Sequence, residues 1–209
     1  YTKFLEEHWE KGTHEFRMLS GRKRHFDGDD LSITGGTILN AKVQGSSADI
    51  VKINIMIIDR YVKPLCPSLE LLFQVHDELG YQCDPAEAPL ASMLIKYVME
   101  QHWFPGVSVP ILAGAKVCDS WEAKDDDNVP EVGYYYAQVK KADGSYEDRV
   151  FTPETWKEFV ELDKQKLIGK KSATAMLTQE MLATCRKHIP QPTEIPELKN
   201  YWAQTPVAA

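Results

Sequence analysis

In the stretch LELLFQVHDELGYQC, residues 69–83, an apolar run is broken by His76, Asp77 and Glu78 and resumes at Leu79, Tyr81 and Cys83. Two adjacent carboxylates and an imidazole between two strand-like runs put charge at one end of a sheet, on backbone held by the strands behind it. A carboxylate fixed in that way suits Mg²⁺, which takes one or two carboxylates and completes its octahedron with water and substrate phosphates. Taken alone, the triplet reads rather as an ordinary exposed hairpin tip, where Asp is common.

A second constellation lies thirty residues upstream, in ILNAKVQGSSADIVK. Asn40 and Gln44 are four apart, so on a helix both carboxamides lie on one face. Ser47 and Ala48 continue that face with small groups, and Gly45 sits beside it. Carboxamides over small side chains suit close approach to hydrogen-bonding edges, and the minor groove of a duplex offers acceptors at equivalent places for every base pair. For any one of these residues, a helix packed tightly on a neighbour is the simpler account. The dense basic cluster of the chain is Arg22, Lys23 and Arg24.

These groups must be positioned by regular elements. Tyr1, Phe4, Leu5, His8 and Trp9 stand at helical spacing, with Gly12 as a helix stop. HEFRMLSGRKRHF, residues 14–26, reads as a short hairpin turning at Ser20-Gly21. A polar loop leads to a long helix over 38–62, whose IVKINIMII stretch is apolar nearly all round and is expected to be buried. Pro64 and Pro67 end it. Strands over 69–75 and 79–83 pair antiparallel, a helix spans 86–102, and a last strand covers Val109–Cys118. The order hairpin, helix, hairpin, helix, strand predicts an α+β fold.

The charged run Lys124-Asp125-Asp126-Asp127-Asn128 reads as a solvated linker and divides the chain into residues 1–124 and 125–209. The second part predicts a ββα pattern. Tyr134–Lys140 and Tyr146–Phe151 flank an Asp143-Gly144 turn. Thr152 then caps a helix, with Pro153 in its first turn and Trp156, Phe159 and Val160 on the buried face. A further helix covers 173–188. Trp103 and Trp121 read as core or interface aromatics.

The composition is that of a globular, core-forming protein of 209 residues with 43% apolar side chains. No apolar run is long enough to span a bilayer. Residues 1–11 are charged and hold no continuous apolar core, so no secretory leader is expected there. The first residue is Tyr rather than Met, as expected of a processed or partial chain. Cys66, Cys83, Cys118 and Cys185 form no CxxC pair and read as reduced thiols of a cytoplasmic protein. The net charge of −7 argues against wholesale coating of a nucleic-acid backbone and leaves that task to a local cluster.

QGSSADIVK followed by LLFQVHDEL, and then by DSWEAK, closely resembles the C-terminal part of the family A DNA polymerases. That family carries Q-G-T/S-A-A-D on a palm helix, Q-V-H-D-E on a palm hairpin and a W-x-x-A-K element near its end. GRKRHF, similar to the family's G-R-R-R-Y, stands before them. The resemblance covers about residues 1–124 and implies a partial palm with packed helices, followed by a small ββα and helical extension of unassigned role. It implies that Asp77 and the adjacent Glu78 are catalytic carboxylates that bind Mg²⁺, and that His76, also at the catalytic site, lies close to the primer terminus. Asn40 and Gln44 would touch the minor groove of primer-template DNA, with Arg22, Lys23 and Arg24 near the backbone. Gly36 stands where the family often has Arg.

The resemblance also implies parts that this sequence does not show. The family uses a second aspartate on a strand like D-Y-S-x-x-E-L-R, and a fingers helix whose Lys and Arg hold the incoming dNTP. Two metals about 4 Å apart need carboxylates that bridge both ions. Adjacent Asp77 and Glu78 cannot supply both sides, so a complementary polymerase chain or segment is expected, as in a split phage-type enzyme. An alternative is a non-catalytic module binding primer-template DNA or a replication partner. A stand-alone metal phosphohydrolase built on His76-Asp77 would want further His ligands, and His8, His14, His25, His102 and His188 show no matching arrangement.

Overall fold

The computed structural model describes residues 15–26, 35–105, 107, 109–126 and 128–199. The helix expected over 1–11 and most of the polar loop before the long helix lie outside them. The described chain is α+β: three separate antiparallel sheets with helices packed against them.

The first hairpin joins β1 (Glu15–Arg17) to β2 (Lys23–His25), with Phe16 opposite Arg24. It turns where expected: Gly21 has a φ of 77° and donates its N–H to Met18 O at 2.9 Å. The long helix α1 runs from Gly35 to Ile57. It then widens into a π turn over Ile58–Val62, where Lys63 N–H reaches back five residues to Ile58 O at 3.0 Å. Pro64 cannot continue the ladder.

The stretch IVKINIMII is not buried all round. Val51, Asn54, Ile57 and Ile58 face inward, while Lys52 and Met56 are exposed. Beside this outer stripe runs an open groove of about 590 Å³, lined by Ile55, Met56, Leu69, Leu71 and Tyr81.

The second hairpin pairs β3 (Glu70–Val75) with β4 (Glu78–Gln82), as a two-stranded sheet with a bulge between Leu71 and Phe73. Helix α2 spans Ala88–Met99, with Pro89 in its first turn, and is shorter than the 86–102 expected. It stops because Trp103 turns into the core, donating Nε1–H to Asn54 Oδ1 at 2.6 Å and Val98 O at 3.1 Å.

The strand expected over Val109–Cys118 does not form. An isolated bridge, Lys116 to Glu131, is the one ladder contact recorded for it among the described residues. The physical reason is that side chains of α2 and of Glu100 at its C-terminal cap take up backbone groups of this segment. Ala113 N–H donates to Glu100 Oε1 at 3.2 Å, and Ala113 O accepts from Lys96 Nζ. Pro110 has no N–H to give. Lys96 is fully buried, and its charge is matched by Glu100 at 2.8 Å, as a buried ammonium requires.

The C-terminal part holds β5 (Tyr135–Lys140), β6 (Tyr146–Phe151) and β7 (Ile168–Lys171) in the order β6-β5-β7. Thr152 and Pro153 open a single 3₁₀ turn before α3 (Trp156–Lys164), which covers the sheet through Phe159. Strand β7 was not expected. The last helix, α4 (Gln179–His188), is capped by Thr178, whose Oγ1 accepts Met181 N–H at 3.2 Å. It is shorter than 173–188 because residues 172–176 pair with β5 and its approach instead, through Ser172 N–H to Tyr136 O and Tyr134 with Met176.

The main core joins both parts of the chain. Ile57, Ile58, Val62, Leu94, Val98 and Trp103 pack with Cys185, Ile189, Ile195 and Leu198. Each fully buried Ile or Leu there is worth about 1.5–3 kcal/mol. The end of α1, α2 and the β3–β4 hairpin are thus fixed from behind by residues after 176.

Candidate functional site

His76 and Asp77 form the two-residue turn between β3 and β4, flanked by the pair Val75 and Glu78. His76 has a φ of 55°, a left-handed backbone that a non-glycine residue holds only when its surroundings impose it. Gln74 Nε2 donates to His76 O at 3.2 Å across the turn. Both side chains are exposed, and among the described residues Asp77 has no hydrogen bond or ion pair. The strands below therefore present the Asp77 carboxylate without a partner among the described residues.

Glu78 is differently placed. Lys124 Nζ donates to both of its carboxylate oxygens, at 2.9 and 2.8 Å, and Trp121 Nε1–H donates to Oε1 at 2.9 Å. Hydrogen bonding from Lys124, and after it from Trp121, holds the Glu78 carboxyl below the usual glutamate value of 4.5. Glu78 in turn raises Lys124. The Trp121 ring packs on Phe73 at 5.0 Å, and Lys124 Nζ lies 4.6 Å from the centre of the indole. Phe73 can lie across β4 because residue 80 is glycine: a Cβ there would stand 2.2 Å from Phe73 Cζ. The DSWEAK and HDEL stretches, far apart in sequence, thus meet at the hairpin tip.

On α1, Asn40, Gln44 and Ser47 are exposed, as their helical spacing requires of a shared outward face. The other face is spent on the first hairpin. Met18 is buried against Gly45, where a Cβ would stand 2.4 Å from Met18 Cε. Leu19 N–H donates to Ser46 Oγ at 3.3 Å. Buried Asp49 accepts from Ser20 Oγ and from Arg22, with Nε at 3.1 Å and Nη2 at 3.0 Å. Asp49 was not singled out in the sequence, although its i,i+4 spacing from Gly45 was the available signal.

Each member of the basic cluster has a neighbour in the chain. Arg22 is tied to Asp49, and Lys23 pairs with Glu15 at 2.6 Å. Arg24 lies over the Phe26 ring at 5.4 Å. Lys23 and Arg24 remain exposed, and the side chain of Arg22 is about half so (47%).

No group of three or more His, Cys, Asp and Glu side chains that could hold a metal ion occurs among the described residues. Asp77 fits one arm of a Mg²⁺ site. Glu78, closed on a lysine, does not offer a second, so these residues supply one ligand and do not complete the site. No helix of the described chain is long and apolar enough to cross a membrane.

The sequence pattern of DNA polymerase family A matches residues 4–123, which include both hairpins, α1, α2 and Trp121. The chain belongs to DNA polymerase family A. Its relatives include the DNA polymerase I of Helicobacter pylori, 30% identical over 126 residues, which are 58% of this chain and 14% of that protein. The thermostable DNA polymerase I of Thermus filiformis is 39% identical over 88 residues, 42% of this chain and 10% of that one. The DNA polymerase I of Streptococcus pneumoniae serotype 4 is 34% identical over 89 residues, 42% of this chain and 10% of its own length. This family A segment thus spans about a tenth to a seventh of the curated relatives it matches. No solved structure matches it significantly.

Proposed function

We propose that this chain contributes the C-terminal part of a family A palm to template-directed DNA synthesis, the transfer of a nucleotide from a dNTP to a primer 3′-OH. The observation that carries this reading is the Asp77 carboxylate, without a partner among the described residues and held on a strained turn inside the region matched by the family. Mg²⁺ bound there would polarise phosphate oxygens and stabilise charge at the attacking and leaving oxygens. Asp77 supplies one arm of that site. His76 stands beside it at the primer end. Asn40 and Gln44 face the minor groove, and Lys23 and Arg24, with what Arg22 has to spare, face the backbone.

The second carboxylate and the dNTP-binding helix belong to a complementary polymerase chain or segment, as in a split phage-type enzyme. The surface that supports this is apolar and open. Leu71, Leu72 and Val75 of β3 are exposed, and the groove along α1 runs beside them. A two-stranded hairpin is marginal by itself and leaves strand edges unpaired. An interface that covers them would bury more than roughly 2,000 Å² in total, resembling a domain core cut in two. Residues 125–209 serve as an extension that buttresses this half from behind.

The test is Mg²⁺-dependent primer extension by the 209-residue chain, alone and with the chain that co-purifies with it. The expected result is no extension alone and extension by the pair. Extension by the chain unaided would contradict the half-site. A pair that binds primer-template DNA and never extends it would assign the chain to a non-catalytic binding module.

A further inference from the structure

The tip of the β3–β4 hairpin combines a strained residue, two carboxylates and a two-stranded sheet. A positive φ at His76 persists only when the surroundings over-determine it. The surroundings here come from residues 121–124. Trp121 covers Phe73 and donates to Glu78, and Lys124 closes on both oxygens of the same carboxylate.

That segment is itself anchored. Lys116 Nζ donates to Lys124 O at 2.5 Å and to Asp126 O at 3.3 Å. Further back, buried Lys96 of α2 and half-buried Glu100, just past its end, hold Ala113 through its O and its N–H. A continuous set of contacts therefore runs from the core helix to the turn. Its electrostatic outcome is specific: Glu78 is neutralised by Lys124, and the turn is left with the single negative charge of Asp77.

We propose that Trp121 and Lys124 are positioning residues for Asp77: by closing on Glu78 they withdraw that carboxylate from metal binding and fix the turn that presents its neighbour. The placement of Asp77 at a metal rests on the function proposed above. The withdrawal of Glu78 and the fixing of the turn concern this chain alone and are tested without any polymerase activity.

The experiment uses the ¹⁵N-labelled 209-residue chain, with Mn²⁺ as the probe and paramagnetic broadening of backbone amides as the readout. In the unmodified chain, broadening centres on residues 76–78. Asp77→Asn removes it and Glu78→Gln leaves it in place. Lys124→Met releases Glu78, and the loss of one positive charge at contact range from a divalent ion strengthens Mn²⁺ binding roughly tenfold after screening by salt. Lys124→Arg restores the original profile. In the assembled enzyme the same Lys124→Met slows extension although the chain binds the ion more tightly, a split that a merely stabilising surface ion pair would not produce.

Loss of broadening in Glu78→Gln would make Glu78 a ligand and overturn the proposal. Unchanged amide shifts and Mn²⁺ binding in a folded Lys124→Met would overturn it too. If Lys124→Met fails to fold, the Glu78→Gln result decides. Failure of the proposed function would show separately, as an assembled unmodified enzyme that extends no primer whatever the Mn²⁺ data.

Discussion

Asp49 on α1 and Arg22 in the turn of the first hairpin form an ion pair at 3.0 Å, reinforced by a second bond from Arg22 Nε at 3.1 Å. The carboxylate is buried and the guanidinium half in solvent, so the pair fastens the hairpin to the helix that carries Asn40 and Gln44. Part of the basic cluster is thereby structural.

This division predicts different phenotypes within one cluster. Asp49→Asn and Arg22→Ala are each expected to destabilise the chain by about 1–2 kcal/mol, discounted for the exposure of the guanidinium. Arg24→Ala is expected to leave stability unchanged and to reduce the salt slope of primer-template binding by about one phosphate contact. Denaturant melts and binding isotherms across salt concentrations separate the two. A stability loss in Arg24→Ala equal to that in Arg22→Ala would remove the distinction.

Trp103 and Asn54 make the second prediction. Trp103→Phe keeps most of the buried volume and leaves Asn54 Oδ1 without its donor, whereas Val98 O still accepts Gln101 N–H at 3.2 Å. The expected cost is about 1–3 kcal/mol, the desolvation penalty of an unsatisfied buried acceptor. A shift of the urea midpoint at unchanged m-value measures it. Asn54→Leu combined with Trp103→Phe should recover part of the loss.

The C-terminal sheet should respond to acid. Ser145 hydrogen bonds lower Asp143, Tyr136 and then Gln138 lower Asp148, and Arg149 lowers Glu158. A carboxyl with a depressed folded value stabilises the fold above its ordinary value and loses that contribution as pH falls through the depressed one. The ordinary values are 3.8 for the aspartates and 4.5 for the glutamate. Amide protection of β5–β7 is therefore expected to be constant down to about pH 4.5 and to fall below it. Protection that rose on acidification would contradict these assignments.

Asn40 and Gln44 are exposed side by side on α1, whereas Gly45, Ser46 and Asp49 are spent on the hairpin. Alanine at Asn40 and Gln44 is expected to leave folding unchanged and to alter extension from matched and mismatched primer ends by different factors, because minor-groove acceptors move in a mispair. Equal factors on both substrates would detach these carboxamides from base-pair reading.

The hairpins were legible in the sequence because turn residues and apolar alternation act locally: Ser20-Gly21, His76-Asp77 and Asp143-Gly144 all stand at turns. The α+β class, α1 and α2 followed from helical spacing. What escaped depends on partners distant in sequence. Residues 109–118 look like a strand, yet side chains of α2 and of Glu100 at its cap satisfy Ala113. Strand β7 has only Ile168 as an apolar residue, too short a signal against Gly169, Lys170 and Lys171. Within the site, the turn position of Asp77 was legible. That Glu78 closes on Lys124, 46 residues on, was not, because no local pattern records which lysine a carboxylate meets.

In the proposed function, Asp77 supplies the carboxylate arm of a catalytic metal site completed by another chain or segment. Single-turnover primer extension by the assembled enzyme, with Asp77→Ala against the unmodified chain, tests it most directly. The account predicts that the variant assembles and binds primer-template DNA as before, and that nucleotide incorporation falls by roughly 100-fold or more, the scale for removing a group that stabilises transition-state charge. Near-normal extension by a folded Asp77→Ala complex would contradict it.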